Sequence, residues 1–279
     1  MTTTRTVPVL MYHHVSPSEG AITASPANFE DQLLWLKRRG YRSLSSDEFA
    51  GHLQGAPVPE KSILITFDDG YLDNWVYAYP LLKKYGFSAL VFLVTSWIHD
   101  GPARNILGQG ELPATPSHKD CEDLIEQGRS DEVALRWSEI KAMRDDGVME
   151  FHSHTHTHTR WDLIEPANKN SHIAQELALS RQTLQAQLGS VSEHFCWPQG
   201  YFDADYVRLA QETGFRYLYT TQAFGQNRAG TDPAHIYRFA VRNTSGSSVG
   251  RRIQVAAHPV IGPLFNKWKR WKRELRKSK

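Results

Sequence analysis

The sequence predicts an α/β protein in which helices wrap a parallel sheet that can close into a barrel. Short apolar runs alternate with segments of helical periodicity along most of the chain. The 279 residues suffice for one such barrel, and 40% hydrophobic and 22% charged residues are typical of a globular protein, not a disordered or fibrous one. No apolar run approaches membrane-spanning length.

Apolar runs are the predicted strands, and ordinary start and stop residues bound the helices between them. Asn28 is the predicted N-cap of the first helix and Gly40 its stop signal. Strands are predicted at 7–12, 62–67, 89–94, 148–151, 195–197 and 217–220. Further helices are predicted at 77–85, 137–144, 173–188 and 206–213. This alternation favours parallel strands.

Two segments depart from the alternation. Residues 98–132 are rich in Gly, Pro and polar residues and are predicted to be an insertion loop near the mouth of the site. Residues 265–279 carry eight basic residues and one acidic residue, a charge of +7, which leaves −5 on residues 1–264. We therefore predict one domain at 1–264, with its insertion at 98–132, and a basic tail.

Three predicted strands end in acids or histidines, as catalytic groups do in parallel α/β folds. His13 and His14 follow one strand, Asp68 and Asp69 follow another, and a tract of four histidines follows a third. Two adjacent carboxylates after a buried strand repel each other, so a nearby cation is the natural way to keep both ionised. A polar loop cap before Gly70 is the alternative.

The histidine tract permits several metal sites. On a helical turn, residues four apart share a face, which pairs His152 with His156 and His154 with His158. On a strand, all four would share one face. Adventitious metal binding by a surface histidine tract is the remaining alternative.

Two motifs resemble those of the polysaccharide deacetylases, the NodB-homology enzymes of carbohydrate esterase family four. Thr66-Phe-Asp-Asp-Gly70 resembles their first motif, and Ser153-His-Thr-His-Thr-His158 resembles their second, Ser-His-Thr-x-x-His. The resemblance implies a distorted (β/α) barrel of the NodB-homology type. It also implies that residues 1–264 form a catalytic domain.

The same resemblance assigns roles within these motifs. Asp68 is the expected catalytic base, whereas Asp69, His154 and His158 are the expected metal ligands. The other two histidines of the tract are left without an assigned role. Zinc suits two histidines and one carboxylate, and nickel, cobalt or iron would also bind them.

The run Trp197-Pro-Gln-Gly200 is similar to the third motif of the family, usually Arg-Tyr-Pro-Tyr-Gly, which forms one wall of the substrate groove. The expected substrate contacts are Trp197, Pro198, Gln199, Gly200 and Tyr71. The resemblance further implies that the backbone N–H of Gln199 helps to hold the oxyanion of the reaction.

Cys196 stands where the arginine of the third motif would be, and that arginine normally orients the catalytic base. Arg238 or Arg242 would then have to supply a guanidinium from elsewhere in the chain. The absence of the motif arginine also raises an alternative function, a catalytically impaired metal-containing carbohydrate-binding module of the same fold.

The general acid is expected from the first strand. The run Val9-Leu-Met-Tyr-His13 resembles the N-terminal segment of the poly-N-acetylglucosamine deacetylase branch, whose acid histidine comes early. We therefore predict His13 rather than His14 as the acid, and a histidine that only lines the pocket is the alternative. The late Leu-x-His motif of the wider family is not evident, and His258 matches it poorly.

The implied function is metal-dependent hydrolysis. Its substrate would be an N-acylated amino sugar of a cell-surface glycan or of the lipid-linked precursor of that glycan, from which an N-acetyl or other N-acyl group is removed. At neutral pH, the metal would lower the pKa of a bound water and polarise the acyl oxygen.

The basic tail suggests a membrane partner. Phe265, Trp268, Trp271 and Leu275 recur at helical spacing among the basic residues, as in an amphipathic helix on an anionic membrane. A solvated, frayed basic terminus is the alternative. No nucleic-acid partner is expected, because the rest of the chain is acidic.

The expected compartment follows from cysteines and the first residues. Cys121 and Cys196 cannot form a disulfide framework and are expected to be free thiols. The N-terminal residues lack the apolar stretch and cleavage site of a signal peptide. A cytoplasmic protein is therefore expected, associated through its tail with the inner face of the membrane.

Overall fold

The structure is a computed structural model that describes residues 4–258 and 260–277, except for the side chains of Arg270 and residues 272–277. Its described strands are β1 (Val9–Tyr12), β2 (His14–Val15), β3 (Thr23–Ala24), β4 (Arg42–Ser43), β5 (Ser62–Phe67), β6 (Ala89–Leu93), β7 (Met149–Ser153), β8 (His194–Cys196), β9 (Tyr217–Tyr219) and β10 (Phe239–Ala240).

Helices alternate with these strands as the sequence predicted. They are α1 (Pro26–Arg38), α2 (Ser46–Leu53), α3 (Tyr79–Tyr85), α4 (His118–Glu126), α5 (Trp137–Asp145), α6 (Trp161–Ile164), α7 (Lys169–Leu188), α8 (Ala204–Glu212), α9 (Gly246–Ala257) and α10 (Ile261–Lys277). A π-helical turn, Asn74–Ala78, precedes α3.

The main sheet is parallel and curled. Its order is β10-β1-β5-β6-β7-β8-β9, with β4 also paired to β5, while β2 and β3 form a separate pair. Ile236 forms a parallel bridge with Tyr219 at one edge, and β10 pairs with β1 at the other. The stretch 236–240 therefore contacts both edges of the sheet, which gives the predicted distorted barrel.

Both faces of the sheet are buried, as expected for parallel strands. On β5, the side chains of Ile63, Ile65 and Phe67 pack in one apolar cluster. Leu64 packs in another with Leu90 of β6. Because neighbouring side chains of a strand point to opposite faces, β5 separates the inside of the curled sheet from the helical layer.

The first helix begins earlier than the predicted N-cap, Asn28, which was wrong. Ser25 is the N-cap, and its side chain accepts a hydrogen bond from the N–H of Asn28 at 3.2 Å. Pro26 occupies the first turn, where its fixed φ suits a helix and its missing N–H is not needed. The serine-proline pair was therefore the stronger start signal.

The insertion at 98–132 is more ordered than the loop that the sequence predicted. It contains α4, whose N-cap Ser117 accepts from the N–H of Asp120. Arg104 ties the insertion to the domain through Glu139, whose carboxylate it contacts from both Nε and Nη2 at 2.8 Å. Thr115 accepts from Ser16 beside β2. The insertion is thus fastened next to the strand that follows His13.

The basic tail is the end of a longer helix, since α10 begins at Ile261, four residues before the predicted boundary. Asn266 Nδ2 donates to Gly225 O at 3.4 Å, and nearby Asn227 O accepts the N–H of Val7 just before β1. The helix therefore begins at the end of the sheet where strands start. Among the described helices, none is both long and apolar enough to cross a membrane.

Candidate active site

The predicted chemical residues meet at the carboxyl ends of the strands. His13 follows β1, Asp68 and Asp69 follow β5, and His154 follows β7. His158 joins them from the loop after β7. Parallel strands bring their carboxyl ends to one edge, so residues far apart in sequence share one site.

Asp69, His154 and His158 form a donor set for a metal ion. Asp69 Oδ1 lies 3.3 Å from His154 Nε2 and 3.5 Å from His158 Nε2. This oxygen is buried and has no hydrogen-bond partner among the described residues. Two imidazole nitrogens around a buried carboxylate oxygen suit zinc or a similar divalent ion. The donor set therefore fits the predicted metal.

Backbone geometry aims these ligands. Asp69 has φ 75°, Thr155 has φ 69° and His158 has φ 64°, all in the left-handed region that non-glycine residues seldom adopt. The histidine tract is therefore neither a helical turn nor a continuous strand. His154 Nδ1 donates to Cys196 O at 2.8 Å, which leaves Nε2 to face Asp69.

Glu176 of α7 supports this turn, and the sequence analysis missed it. Its carboxylate accepts the backbone N–H groups of His156 and Thr157 at 2.8 and 2.7 Å, and it also accepts the Thr157 hydroxyl. Glu176 is buried on the same face of α7 as Ile173 and Leu177. An acid on the apolar face of a predicted helix was the signal that could have revealed it.

The two histidines without an assigned role make other contacts. His152 Nδ1 lies 2.5 Å from Ser192 Oγ, and the ring packs 5.2 Å from that of His194. His156 Nδ1 lies 2.9 Å from Thr95 Oγ1. Neither histidine belongs to the donor set around Asp69.

Arg238 occupies the role that the sequence analysis left open between two arginines. It donates to Asp68 Oδ1 at 2.6 Å and to Asp68 Oδ2 at 2.8 Å, and it is buried. Its Nε is held by Thr220 O at 2.9 Å. Arg242 is exposed. Arg238, which directly precedes β10, therefore supplies the guanidinium that the third motif lacks.

This ion pair sets the charge state of Asp68, the predicted base. Burial alone raises the pKa of Asp68, but the adjacent Arg238, with smaller contributions from His154 and His13, lowers it, so the carboxylate is ionised at neutral pH. Asp68, His154 and Cys196 also lie close enough to share an ion. However, this group already contacts a cation, the Arg238 guanidinium, whose Nη2 lies 2.9 Å from Cys196 Sγ. Burial also raises the pKa of the Cys196 thiol, which disfavours the thiolate form that binds metals.

His13 and His14 face different surroundings. His13 Nε2 lies 3.9 Å from Asp68 Oδ2, and 19% of its side chain is exposed. Burial lowers the pKa of His13, partly offset by Asp68 and Asp69. His14 is buried and contacts Asp73 instead. The structure thus places His13, the predicted acid, beside Asp68, the predicted base.

The third-motif residues divide into buried and exposed ones. Trp197 is 1% exposed and packs against Phe195 and Tyr206, so it supports the loop from the interior. Pro198 is also buried. Gln199 is exposed and has φ 52°.

Two further predicted substrate contacts, Gly200 and Tyr71, are also less exposed than Gln199. Gly200 has φ 71°, and a Cβ there would lie 2.1 Å from Thr221 Oγ1, so only glycine fits. Tyr71 is 1% exposed, because the ring of His14 stacks on it at 4.0 Å. Of the predicted substrate contacts, Gln199 therefore has the greatest access to solvent.

Comparisons with known proteins decide the family. Residues 55–218, more than half of the chain, match the sequence model of the family described as Polysaccharide deacetylase. The chain belongs to the polysaccharide deacetylase family. The matched range contains Asp68, Asp69, His154, His158 and the third motif, which the sequence analysis assigned by resemblance.

Relatives and solved structures agree with this membership. The Bacillus subtilis protein YxkH is 29% identical over 250 residues, which cover 89% of this chain and 76% of that protein. A Staphylococcus aureus poly-beta-1,6-N-acetyl-D-glucosamine N-deacetylase is 25% identical over 211 residues, covering 72% and 61%. The structure of IcaB from Ammonifex degensii superposes with a TM-score of 0.71 at 25% identity, covering 90% and 98%. The predicted NodB-type fold is confirmed.

Proposed function

We propose that this member of the family removes an N-acetyl or related N-acyl group from an amino sugar by metal-assisted hydrolysis. One observation carries the proposal, the different surroundings of two adjacent carboxylates. Asp68 is neutralised by Arg238, whereas Asp69 presents an unpartnered buried oxygen to two imidazoles. The first arrangement suits a base and the second suits a metal ligand.

Different residues of the chain carry out different steps of the proposed reaction. Asp69, His154 and His158 would hold a divalent metal ion, whose Lewis acidity would lower the pKa of water and polarise the acyl oxygen. Asp68 takes a proton from the attacking water, and His13 delivers a proton to the departing amine. The backbone N–H of Gln199 stabilises the developing oxyanion. Zinc is the proposed ion.

The substrate class rests on the relatives. The Staphylococcus aureus relative is named for a polymer of N-acetylglucosamine, and the chain spans 61% of its length. We propose a glycan of N-acylated amino sugars, or the lipid-linked precursor of such a glycan, as the substrate. The position of the protein in the cell stays a prediction of the sequence analysis.

The alternative of a binding module without turnover was motivated by the missing motif arginine. Arg238 supplies a guanidinium to both oxygens of Asp68 and so removes that motive. Turnover is therefore the better-supported proposal.

The proposal is tested by measuring acetate and free amine released from N-acetylglucosamine oligosaccharides and from a lipid-linked N-acetylated amino sugar. We expect release that a chelator abolishes and that added zinc restores, because water activation requires the ion. Release that is unaffected after the metal content falls to zero would contradict the metal assignment. Binding of the oligosaccharides without any release would favour the module.

The variant Asp68→Asn distinguishes the role of Asp68 from that of Asp69. The variant keeps the ligands of the metal but loses the base, so we expect unchanged metal content and a turnover lower by roughly 10²- to 10⁴-fold. Asp146→Asn, at an exposed surface position, is the control and should keep both the metal content and the turnover. Full activity in the Asp68→Asn protein would sink the role of Asp68.

We also propose that α10 binds peripherally to an anionic membrane. Ile261, Leu264 and Trp271 are 50%, 64% and 57% exposed, and their spacing places them on one side of the helix. Gly262 and Asn266 are buried against the domain on the opposite side. An exposed apolar stripe that runs into residues 265–279, which carry a charge of +7, matches the combined apolar and electrostatic demands of such a surface.

Vesicle co-sedimentation tests this contact. The full chain should bind vesicles of anionic lipid, bind uncharged vesicles weakly, and be released by high salt. A version that ends at Pro263 should stay in the supernatant while retaining deacetylase activity. Equal sedimentation of the two versions would refute the proposal.

A further inference from the structure

Asp73 and Asn74 hold the chain segment that carries His13. Asp73 Oδ1 accepts the N–H of Val15 at 2.9 Å, and Asn74 Nδ2 donates to the carbonyl oxygen of His13 at 2.9 Å. Both holding residues are buried at the start of the π-helical turn after β5. The backbone is therefore fixed both at His13 and two residues after it.

His14 adds a side-chain anchor to this segment. His14 Nδ1 lies 2.6 Å from Asp73 Oδ2 and forms a side-chain hydrogen bond with that carboxyl group. Neighbouring side chains in extended backbone point to opposite sides. With His14 held toward Asp73, His13 projects the other way, to 3.9 Å from Asp68 Oδ2.

The insertion closes the outer side of this anchor. His118, the first residue of α4, places Nδ1 at 3.1 Å from His14 Nε2 and 3.4 Å from the hydroxyl of Tyr71. The Nε2 atom of His118 lies 3.4 Å from Glu122 one turn later. A chain of polar contacts thus runs from buried Asp73 through His14 to a helix of the insertion.

We propose that Asp73 is a positioning residue for His13, acting through His14 and the backbone of Val15, and that His118 completes this support from the insertion. Asp73, Asn74, His14 and His118 are called the Asp73 cluster. The inference rests on the proposed function, because it takes His13 as the acid that protonates the leaving amine. It makes residues 98–132 part of the catalytic arrangement.

The leaving group of the substrate distinguishes positioning of the acid from general structural support. An amine leaves only after it gains a proton, whereas p-nitrophenolate leaves without one. Misplacement of His13 therefore slows hydrolysis of the N-acetyl amide much more than hydrolysis of p-nitrophenyl acetate. Damage to the metal or to Asp68 slows both, since both reactions need the attacking water.

Asp73→Asn is the principal variant. We expect kcat for an N-acetylglucosamine oligosaccharide to fall at least ~10-fold, with KM, metal content and the rate on p-nitrophenyl acetate nearly unchanged. His13→Ala is the reference and should show the same selective loss, larger in size. Asp47→Asn, exposed on α2, is the control and should leave both rates unchanged.

The outcomes separate this inference from the proposed function. If His13→Ala spares amide hydrolysis, the acid assignment fails. If His13→Ala is selective but Asp73→Asn lowers both rates equally or neither, the positioning role is overturned. Should Asp73→Asn fail to fold, His118→Ala decides, because His118 is 30% exposed. We expect it to lower the amide-to-ester rate ratio a few-fold, about 3-fold, and an unchanged ratio overturns the proposal.

Discussion

Charged side chains are buried at the carboxyl ends of the strands, whereas α10 at the opposite end of the sheet leaves apolar side chains exposed. Asp68 and Arg238 are 2% and 1% exposed. Leu264 and Trp271 of α10 are 64% and 57% exposed. Each arrangement reverses the usual distribution of polar and apolar groups between surface and interior.

The difference between these two ends suits the two different kinds of partner that we propose. A buried charge is costly unless it is paired, and the donor atoms around Asp69 would be satisfied by a cation. An exposed apolar stripe needs no ion but is covered by an apolar surface, such as the interface of a bilayer. Substitutions at one end should therefore leave the other function intact, and the following predictions test that independence.

The largest effect is expected from Asp69→Ala. Loss of the central carboxylate leaves two histidines without the anion between them, so metal affinity should fall by more than ~100-fold and deacetylation should become undetectable. Metal analysis and acetate release measure this, while vesicle binding should stay at the level of the unmodified chain. Loss of vesicle binding in the same variant would show that the two ends are coupled.

Arg238→Met is expected to rank second. The buried Asp68 would lose its paired cation, which should lower the free energy of unfolding by about 3–5 kcal/mol. Because burial would then be opposed only by the weaker effects of His154 and His13, the pKa of Asp68 should rise, and the acidic limb of the kcat/KM profile should move to higher pH. Denaturant unfolding and a pH profile measure both. The exposed Arg242→Met is the control, and a shift of the acidic limb there would contradict this explanation.

Motifs allowed the sequence to predict the metal donor set, because Asp69, His154 and His158 lie in short runs of recognisable pattern. For the partner of Asp68, the sequence left two candidates, Arg238 and Arg242. Arg238 reaches Asp68 with a long side chain from a segment that is distant in sequence. Its position depends on the pairing of Leu10 with Phe239 in neighbouring strands, which is a tertiary feature. The contact of His118 with His14 depends in the same way on how the insertion folds.

Glu176→Gln should have an intermediate effect. An amide oxygen accepts the N–H groups of His156 and Thr157 more weakly than a carboxylate, so the turn that presents His158 should loosen. We expect metal affinity to fall by roughly 10-fold, as for other groups that orient ligands. Titration of the metal-free protein with zinc measures this. Unchanged affinity, with Glu212→Gln on α8 as the exposed control, would show that the turn holds without the charge.

The smallest effect on catalysis is expected at α10, from Trp271→Ser. The side chain is 57% exposed, so stability and deacetylation should change little, within about 0.5 kcal/mol for stability. Burial of an aromatic ring in a bilayer interface is worth about 1.5–3 kcal/mol, so vesicle affinity should drop about 10-fold or more. Leu179→Ser is the matched control, because Leu179 is 43% exposed on α7, outside the basic segment. If both substitutions weaken binding equally, general surface hydrophobicity drives adsorption; if only Trp271→Ser does, α10 is the docking element and its apolar stripe serves a function separate from the metal site.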